Sequence, residues 1–532
     1  MGAGAAHPMA PARAPATRNR SGARRDCALA AVAGLALAAS FIDFRLSLLP
    51  WLAMAPLIAL THDSTPRHAF WLGFAAGLAG IAAAFVWLIH AVRLFGGFPL
   101  PVALAVYLVP VAWMALQFGL FGALLAWMGP LPLGLAPALV FTAVEFVFPS
   151  LFPWRLAHTQ YHRVLLLQSG DLAGPYLLTF TMVWTSTAIL AIYRRLVEPA
   201  GSRGATRAST RWWPLLPCAL LVALLGYGGW RLASVRAARA EAPVLRVGVV
   251  QGNIGVERKG NRSFFVRNLE EYRTLSRAVA PEVDLLVWPE TVVQEPVPRG
   301  AAVLAGADHP FPDLPRPLVY GGLGLDVQLG ERRLFNSAFL LRQDGRLGGR
   351  YDKRVLVPFG EYLPLADRFP RLRALSRGTG RFSAGSETTV LALDARARIA
   401  PLICYEDVIP GPARDAVQRG ATLLLNLTND AWYGDSAEPL QHQALAAWRA
   451  VENRRDLVRA TNTGLTSVIA ATGEVLAELP VFQAATLATE VRLLDQRTFY
   501  TAHGDAFAGT VLAIVLVCLL RRRWLSGPRR DP

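Results

Sequence analysis

The sequence predicts a multi-pass α-helical membrane bundle of about eight spans that carries one extracytoplasmic α/β domain. Three observations predict it. Of the 532 residues, 53% are hydrophobic, and the mean hydropathy of +0.33 is too apolar for an ordinary soluble domain. Apolar runs close to the bilayer-spanning length of roughly 20 residues recur up to residue 230 and once more near residue 520. Between them, residues 234–500 switch to short strand-like runs alternating with amphipathic helical stretches.

Taken in order, residues 1–26 carry Arg13, Arg18, Arg20, Arg24 and Arg25 without apolar periodicity, and read as a disordered basic cytoplasmic tail. Apolar runs follow at 27–42, 46–61, 69–91, 102–128, 131–148, 172–193 and 214–230, which define a seven-span bundle over 27–233. No cleavage site follows the first run, so it reads as retained. A last run at 505–520 sets a final span and basic tail over 501–532, where Arg521 to Arg523 can snorkel and lengthen it. The Arg excess supports this arrangement. With the first tail inside, the loop holding Arg194, Arg195, Arg203, Arg207 and Arg211 is inside, and so is the C-terminus. By the same parity residues 234–500 lie outside. Glu145 is an intramembrane carboxylate, either paired with Arg155 or functional.

The net charge of +16 comes mainly from these Arg clusters, so the high pI does not indicate a nucleic-acid partner. Within the outer segment, Leu245–Val250, Val283–Trp288, Pro317–Tyr320, Thr389–Leu393, Ile399–Ile403 and Thr422–Leu427 read as strands. Phe264–Val279 and Leu440–Asn453 read as helices, which gives an α/β layered domain.

Three stretches there each deliver a reactive side chain at or just beyond a strand. Pro289 ends one strand and presents Glu290 at the sheet's edge. Lys353 leads into the loop Val357-Pro358-Phe359-Gly360-Glu361-Tyr362, and Cys404 follows an apolar strand directly. Cys27, Cys218 and Cys518 fall inside apolar runs, so Cys404 is the only thiol of the outer segment. It has no disulfide partner there and no second thiolate for a metal site. A lone cysteine is often only a buried small hydrophobe. Beside a base and a cation, however, a thiol becomes a nucleophile: Glu290 can take its proton, and Lys353 can favour the thiolate and stabilise an oxyanion.

The blocks Val250-Gln251-Gly252-Asn253-Ile254, Trp288-Pro289-Glu290, Lys353-Arg354 with Pro358-Phe359-Gly360-Glu361-Tyr362, Ile403-Cys404-Tyr405-Glu406 and Asn429 to Ser436 closely resemble the apolipoprotein N-acyltransferases. The likeness covers nearly the whole chain past the tail, including Phe152-Pro153-Trp154 and Gln160. It implies an eight-span bundle in a bacterial inner membrane, with a nitrilase-type αββα domain facing the periplasm. It also implies Glu290 as general base, Lys353 as oxyanion stabiliser and Cys404 as nucleophile, with Glu361 in support and Tyr405, Glu406 and Trp432 shaping the site. The implied partners are a phospholipid acyl donor, phosphatidylethanolamine by resemblance, and diacylglyceryl apolipoproteins as acceptors, with no metal or organic cofactor.

Many members carry a Lys-Trp pair after the Gln-Gly-Asn block, whereas here Gly260 follows Lys259, which weakens a lipid-contact role for this loop. The stretch Arg449 to Arg455 matches a family helix but reads equally as a solvated, ion-paired surface. Two alternative functions remain: a membrane-tethered nitrilase-type amidase acting on a small substrate, and a non-catalytic lipoprotein-binding component.

Overall fold

The computed structural model describes residues 20–197 and 212–525, apart from 260, 305–308, 329–330, 367, 370, 372–379 and 381. Most of the basic N-terminal tail, the loop holding Arg203, Arg207 and Arg211, and Arg529 and Arg530 lie outside the described residues. The first helix already begins at Arg20, so the end of the expected irregular tail is helical.

Four described helices are long and apolar enough to cross a bilayer: Gly22–Ile42, Leu100–Met128, Tyr176–Val197 and Leu215–Glu241. A fifth span is formed if Pro66–Ala84 and Leu88–Leu94 are taken together across their 61° bend. The expected runs at 46–61 and 131–148 form only Leu49–His62 and Ala136–Val147, of 14 and 12 residues. At 1.5 Å per residue these reach roughly 21 and 18 Å, short of a hydrocarbon core of about 30 Å. The cause in the second run is local. Pro132 and Gly134 divert its first residues into a 3-10 turn, and the helix ends before Pro149. Leu215–Glu241 runs on past the expected boundary at residue 233, straight towards the first strand of the outer domain.

The outer domain contains β1 (Val244–Gln251), β2 (Leu285–Val287), β3 (Val293–Pro298), β4 (Leu318–Gln328), β5 (Glu331–Leu341), β6 (Leu347–Asp352) and β7 (Leu391–Ala392). It continues with β8 (Arg398–Ile403), β9 (Leu423–Thr428), β10 (Leu457–Thr461), β11 (Ser467–Ile469), β12 (Val475–Glu478) and β13 (Ala485–Arg492). One sheet has the order β13-β1-β2-β4-β5-β6 with β3 paired to β4, and the other the order β12-β11-β10-β9-β8-β7. The alternating apolar positions seen in the sequence explain why they stack. Val247, Val249, Leu285, Val287 and Leu340 of the first sheet meet Ile399, Ile403, Leu425, Leu427 and Val458 of the second in one apolar core.

Helix Phe265–Val279 covers the outer face of the first sheet through Leu269, Tyr272 and Val279. Helices Pro410–Gln418 and Glu438–Asn453 cover the second, and their buried residues belong to the same apolar cluster as the bundle. The layers are therefore helix, sheet, sheet, helix, with the last helical layer pressed against the bundle. Ion pairs tie this junction. Asp171 of the bundle accepts from Arg454 at 2.7 Å, from Arg231 at 2.6 Å and from Tyr227 at 2.6 Å. Arg449 and Glu452 pair at 2.6 Å, both buried. The stretch from Arg449 to Arg455 is thus interior, which rules out the solvated-surface reading.

Candidate active site

Glu290, Lys353 and Cys404 each leave a strand at its carboxyl end. Glu290 follows β2, which lies between β1 and β4, so it emerges at the end of an interior strand and not at a lateral edge. Its turn is tight: Thr291 has φ +47. Gly321 on β4 donates its N–H to Pro289 O at 3.1 Å. A Cβ at Gly321 would stand 2.5 Å from Pro289 O and 2.6 Å from Glu290 Cα, so only glycine lets the turn sit this close.

Lys353 follows β6 and its backbone N–H bonds Asn336 O of β5 at 2.8 Å. Cys404 follows β8 with φ +51, a left-handed conformation that costs a non-glycine residue roughly 1–2 kcal/mol. Glu406 holds it there. One carboxylate oxygen accepts from Ile403 N at 2.9 Å, the other from Tyr351 Oη at 2.8 Å, Arg354 N at 2.7 Å and Val355 N at 3.1 Å. A single buried side chain therefore joins the cysteine turn to the lysine turn. Asn426 adds a hydrogen bond to Cys404 O at 3.1 Å.

The charged groups form one chain. Asn336 Nδ2 donates to Glu290 Oε1 at 2.6 Å and to Glu361 Oε1 at 2.9 Å. Glu361 Oε2 lies 2.7 Å from Lys353 Nζ and accepts from Val357 N at 2.9 Å. Lys259 Nζ reaches in from its loop to Glu290 O at 2.7 Å.

Burial raises Glu290 above the usual carboxylate range against the pull of Lys353. Burial favours the neutral form of Lys353, but Glu361, Cys404 and Glu290 outweigh it and keep the ammonium charged. Burial also lowers Lys259 to about 8, against Glu290 and Cys404. The Cys404 thiol is raised well above its ordinary value, by burial first and Glu290 second, and Lys353 does not overcome them. Lys353 favours the thiolate as expected, but not by enough to offset burial and Glu290, so the thiol depends on a base to take its proton.

Cys404 opens on a small cavity of about 30 Å³. The bundle supplies Phe41, Phe85, Trp87, Phe152 and Trp154 to its wall, and the outer domain supplies Tyr405, Tyr433 and Glu438. The bend after Ala84 is what delivers Trp87, whose Nε1 donates to Gln441 at 2.9 Å. Tyr405 hydrogen-bonds Leu151 O of the bundle, so it joins the two parts. Trp432 is half-buried in the Asp430–Tyr433 turn, and its neighbour Tyr433 lines the cavity. Glu145 accepts from Leu156 N at 2.7 Å, which fixes the Phe152–Arg155 loop from behind.

Asp430, Glu438 and His442 offer ligand atoms within 4.8 Å of one another. His442 has no free lone pair for a metal, since Nε2 faces Asp407 at 2.7 Å and Nδ1 faces Asp430 at 3.2 Å. These carboxylates outweigh burial and push it up to about 10. Asn336, Asn426 and Glu438 were not singled out from the sequence, and Lys259 was noted only for the glycine that follows it. For Asn336 a signal existed: an amide inside the apolar strand Leu334–Leu341.

Fold and site together define a class: a thiol-bearing carbon–nitrogen hydrolase domain built onto a bundle of apolar helices. The carbon–nitrogen hydrolase family model matches residues 246–499, and the model of the apolipoprotein N-acyltransferase N-terminal domain matches residues 33–188. The apolipoprotein N-acyltransferase of Geobacter metallireducens is 36% identical, over 94% of this chain and 96% of its own. Those of Azotobacter vinelandii and Pseudomonas putida are 34% and 30% identical, over 93% and 94% of this chain and 95% and 96% of theirs. The chain belongs to the apolipoprotein N-acyltransferase family.

Proposed function

We propose that this protein transfers an acyl chain from a phospholipid to the N-terminal α-amino group of diacylglyceryl-cysteine apolipoproteins, through a thioester on Cys404. The observation that carries the reading is the cavity in front of Cys404, walled half by the bundle and half by the hydrolase-type domain. Two lipid substrates need such a junction. A soluble amide would not.

Glu290 takes the thiol proton, and Sγ attacks the acyl ester carbonyl. The S–C bond forms, the ester C–O bond breaks, and Glu290 returns the proton to the departing lysophospholipid hydroxyl. The free amine then attacks the thioester, the N–C bond forms and the S–C bond breaks. The amine's proton passes through Glu290 to the thiolate. Lys353, anchored by Glu361, faces the oxyanion in both steps, a contribution of about 3 kcal/mol for one such donor. A raised Glu290 suits this exchange, because a base close in strength to its partner both takes and gives the proton.

Phosphatidylethanolamine is the proposed donor, and the bacterial inner membrane the proposed location. Seven spans over 27–233, the catalytic domain over 234–500 in the periplasm and a last span over 501–532 complete the proposed arrangement, in which the shorter helices count as spans. The test is complementation of a strain depleted of its own N-acyltransferase, with lipoprotein N-termini read by mass spectrometry. Restored N-acylation is expected. Expression in the membrane without N-acylation overturns the reading.

A further inference from the structure

The wall of the Cys404 cavity contains polar groups that an acyl chain does not need, Gln441, His442 and Glu438, and of these Glu438 is the anion. Glu438, the first residue of helix Glu438–Asn453, is only 4% exposed yet lines a cavity otherwise dominated by aromatic rings. Its Oε1 lies 3.6 Å from His442 Nδ1, and its buried Oε2 has no hydrogen-bond partner among the described residues. The charges that face it do not balance. Asp407, Asp430 and Glu438 stand against His442 and Arg459, and Asp407 already takes Arg459 at 3.2 Å and His442 at 2.7 Å. One carboxylate is left over, in a place where an uncompensated charge is expensive.

Two things relieve it: a proton or a cation. Burial and Asp430 both favour the first, raising Glu438 well above its ordinary range. A cation would meet more than the carboxylate. Trp87 and Tyr433 stand edge to face at 4.9 Å, Trp87 and Phe152 at 5.0 Å, and Trp154 packs on Phe41 at 5.1 Å. Aromatic rings lining one cavity with a carboxylate are the chemistry that recognises an organic ammonium.

We propose that Glu438 and these rings bind the primary ammonium of a lipid substrate, so that the chain selects amine-bearing lipids at the nucleophile's own cavity. The inference rests on the acyltransferase reading and deepens it. That reaction involves two such groups, the headgroup amine of the donor and the α-amine of the acceptor. Both are a primary ammonium on a lipid, and the experiment separates them.

The test uses the full-length protein in detergent and its E438Q variant, with thermal unfolding confirming that both are folded. Acyl-enzyme formation is measured from phosphatidylethanolamine and from phosphatidylglycerol, which has no amine. Transfer is measured to a diacylglyceryl peptide with a free α-amine. If the acceptor's ammonium binds here, E438Q raises the KM for the peptide by at least about 10-fold, as expected for loss of a charged hydrogen bond in a buried site. If the donor's binds here, E438Q removes the preference for phosphatidylethanolamine over phosphatidylglycerol. An unchanged KM together with an unchanged preference overturns the proposal.

Should E438Q not fold, dodecylammonium and dodecanol are compared on the unmodified protein as protectants of Cys404 against maleimide. Protection by the ammonium at a concentration about 10-fold lower supports the site, and equal protection overturns it. This readout does not depend on turnover. A protein that forms no acyl-enzyme from any phospholipid therefore sinks the acyltransferase reading while leaving the ammonium site separately judged.

Discussion

Replacing Gly321 by alanine tests whether the position of Glu290 governs the chemistry. The added Cβ would lie 2.5 Å from Pro289 O and 2.6 Å from both Glu290 Cα and Thr291 N. Ordinary contacts begin near 3.5 Å, so the turn has to move by about 1 Å or β4 has to yield. β4 is an interior strand bonded along its length to β5, whereas the turn is a short connection, so the turn moves. Overpacking of this kind costs about 1–3 kcal/mol of stability, and a base displaced by about 1 Å loses on the order of 10²-fold in rate. Gly411→Ala is the control, since nothing lies within 4 Å of its Cβ position. Single-turnover acyl-enzyme formation on purified, folded protein measures the effect. G321A at close to the unmodified rate would show that the Glu290 turn does not govern the reaction.

Other perturbations bear on the same machinery. Glu290→Gln, Lys353→Ala and Cys404→Ser should each abolish acyl transfer, by at least about 10³-fold, because base, oxyanion donor and nucleophile act as one unit; near-normal turnover in a membrane-inserted variant removes that residue from the set. Acyl-enzyme formation should fall on the acid side at a pH above the ordinary carboxylate value of 4.5, since burial raises Glu290 and only its ionised form accepts a proton. Asn336→Leu removes the donor that favours the charged form, so the acid limb moves to higher pH; a limb that stays put or moves down argues against Glu290 as the titrating base. Reporter fusions should place Arg195 and the C-terminus in the cytoplasm and residues near 300 outside, on the strength of the Arg asymmetry. Cytoplasmic activity from a reporter near 300 reverses the orientation.

What could be read from the sequence was whatever depended on neighbours in the chain. The apolar run ending at Ile403 is a strand because its residues are buried on both faces, and the helix Phe265–Val279 follows the spacing of its buried residues Leu269, Tyr272, Ser276 and Val279. What could not be read depended on contacts between distant segments. Asn336 meets Glu290 and Glu361 only because β4, β5 and β6 pair in one particular register. Lys259 drew attention only through the glycine that follows it, yet its amine ends beside Glu290.

The charged stretch at Arg449 to Arg455 resembled a surface helix because charges are rarely buried unless paired. Its partners Asp171 and Gln168 lie more than 280 positions away. Span lengths were overestimated for a related reason. Hydropathy runs on through Pro132 and Gly134, but the helix cannot.

The account turns on an acyl group carried by Cys404, and the direct measurement is a mass spectrum of that residue. Purified protein is incubated with phospholipid in the absence of acceptor, digested, and the peptide containing Cys404 is weighed. The account predicts one acyl chain on that peptide, removed by hydroxylamine, absent in Cys404→Ser and discharged when a diacylglyceryl peptide is added. An enzyme that transfers acyl chains to the peptide while Cys404 remains unmodified, or while the acyl group sits on another residue, contradicts it.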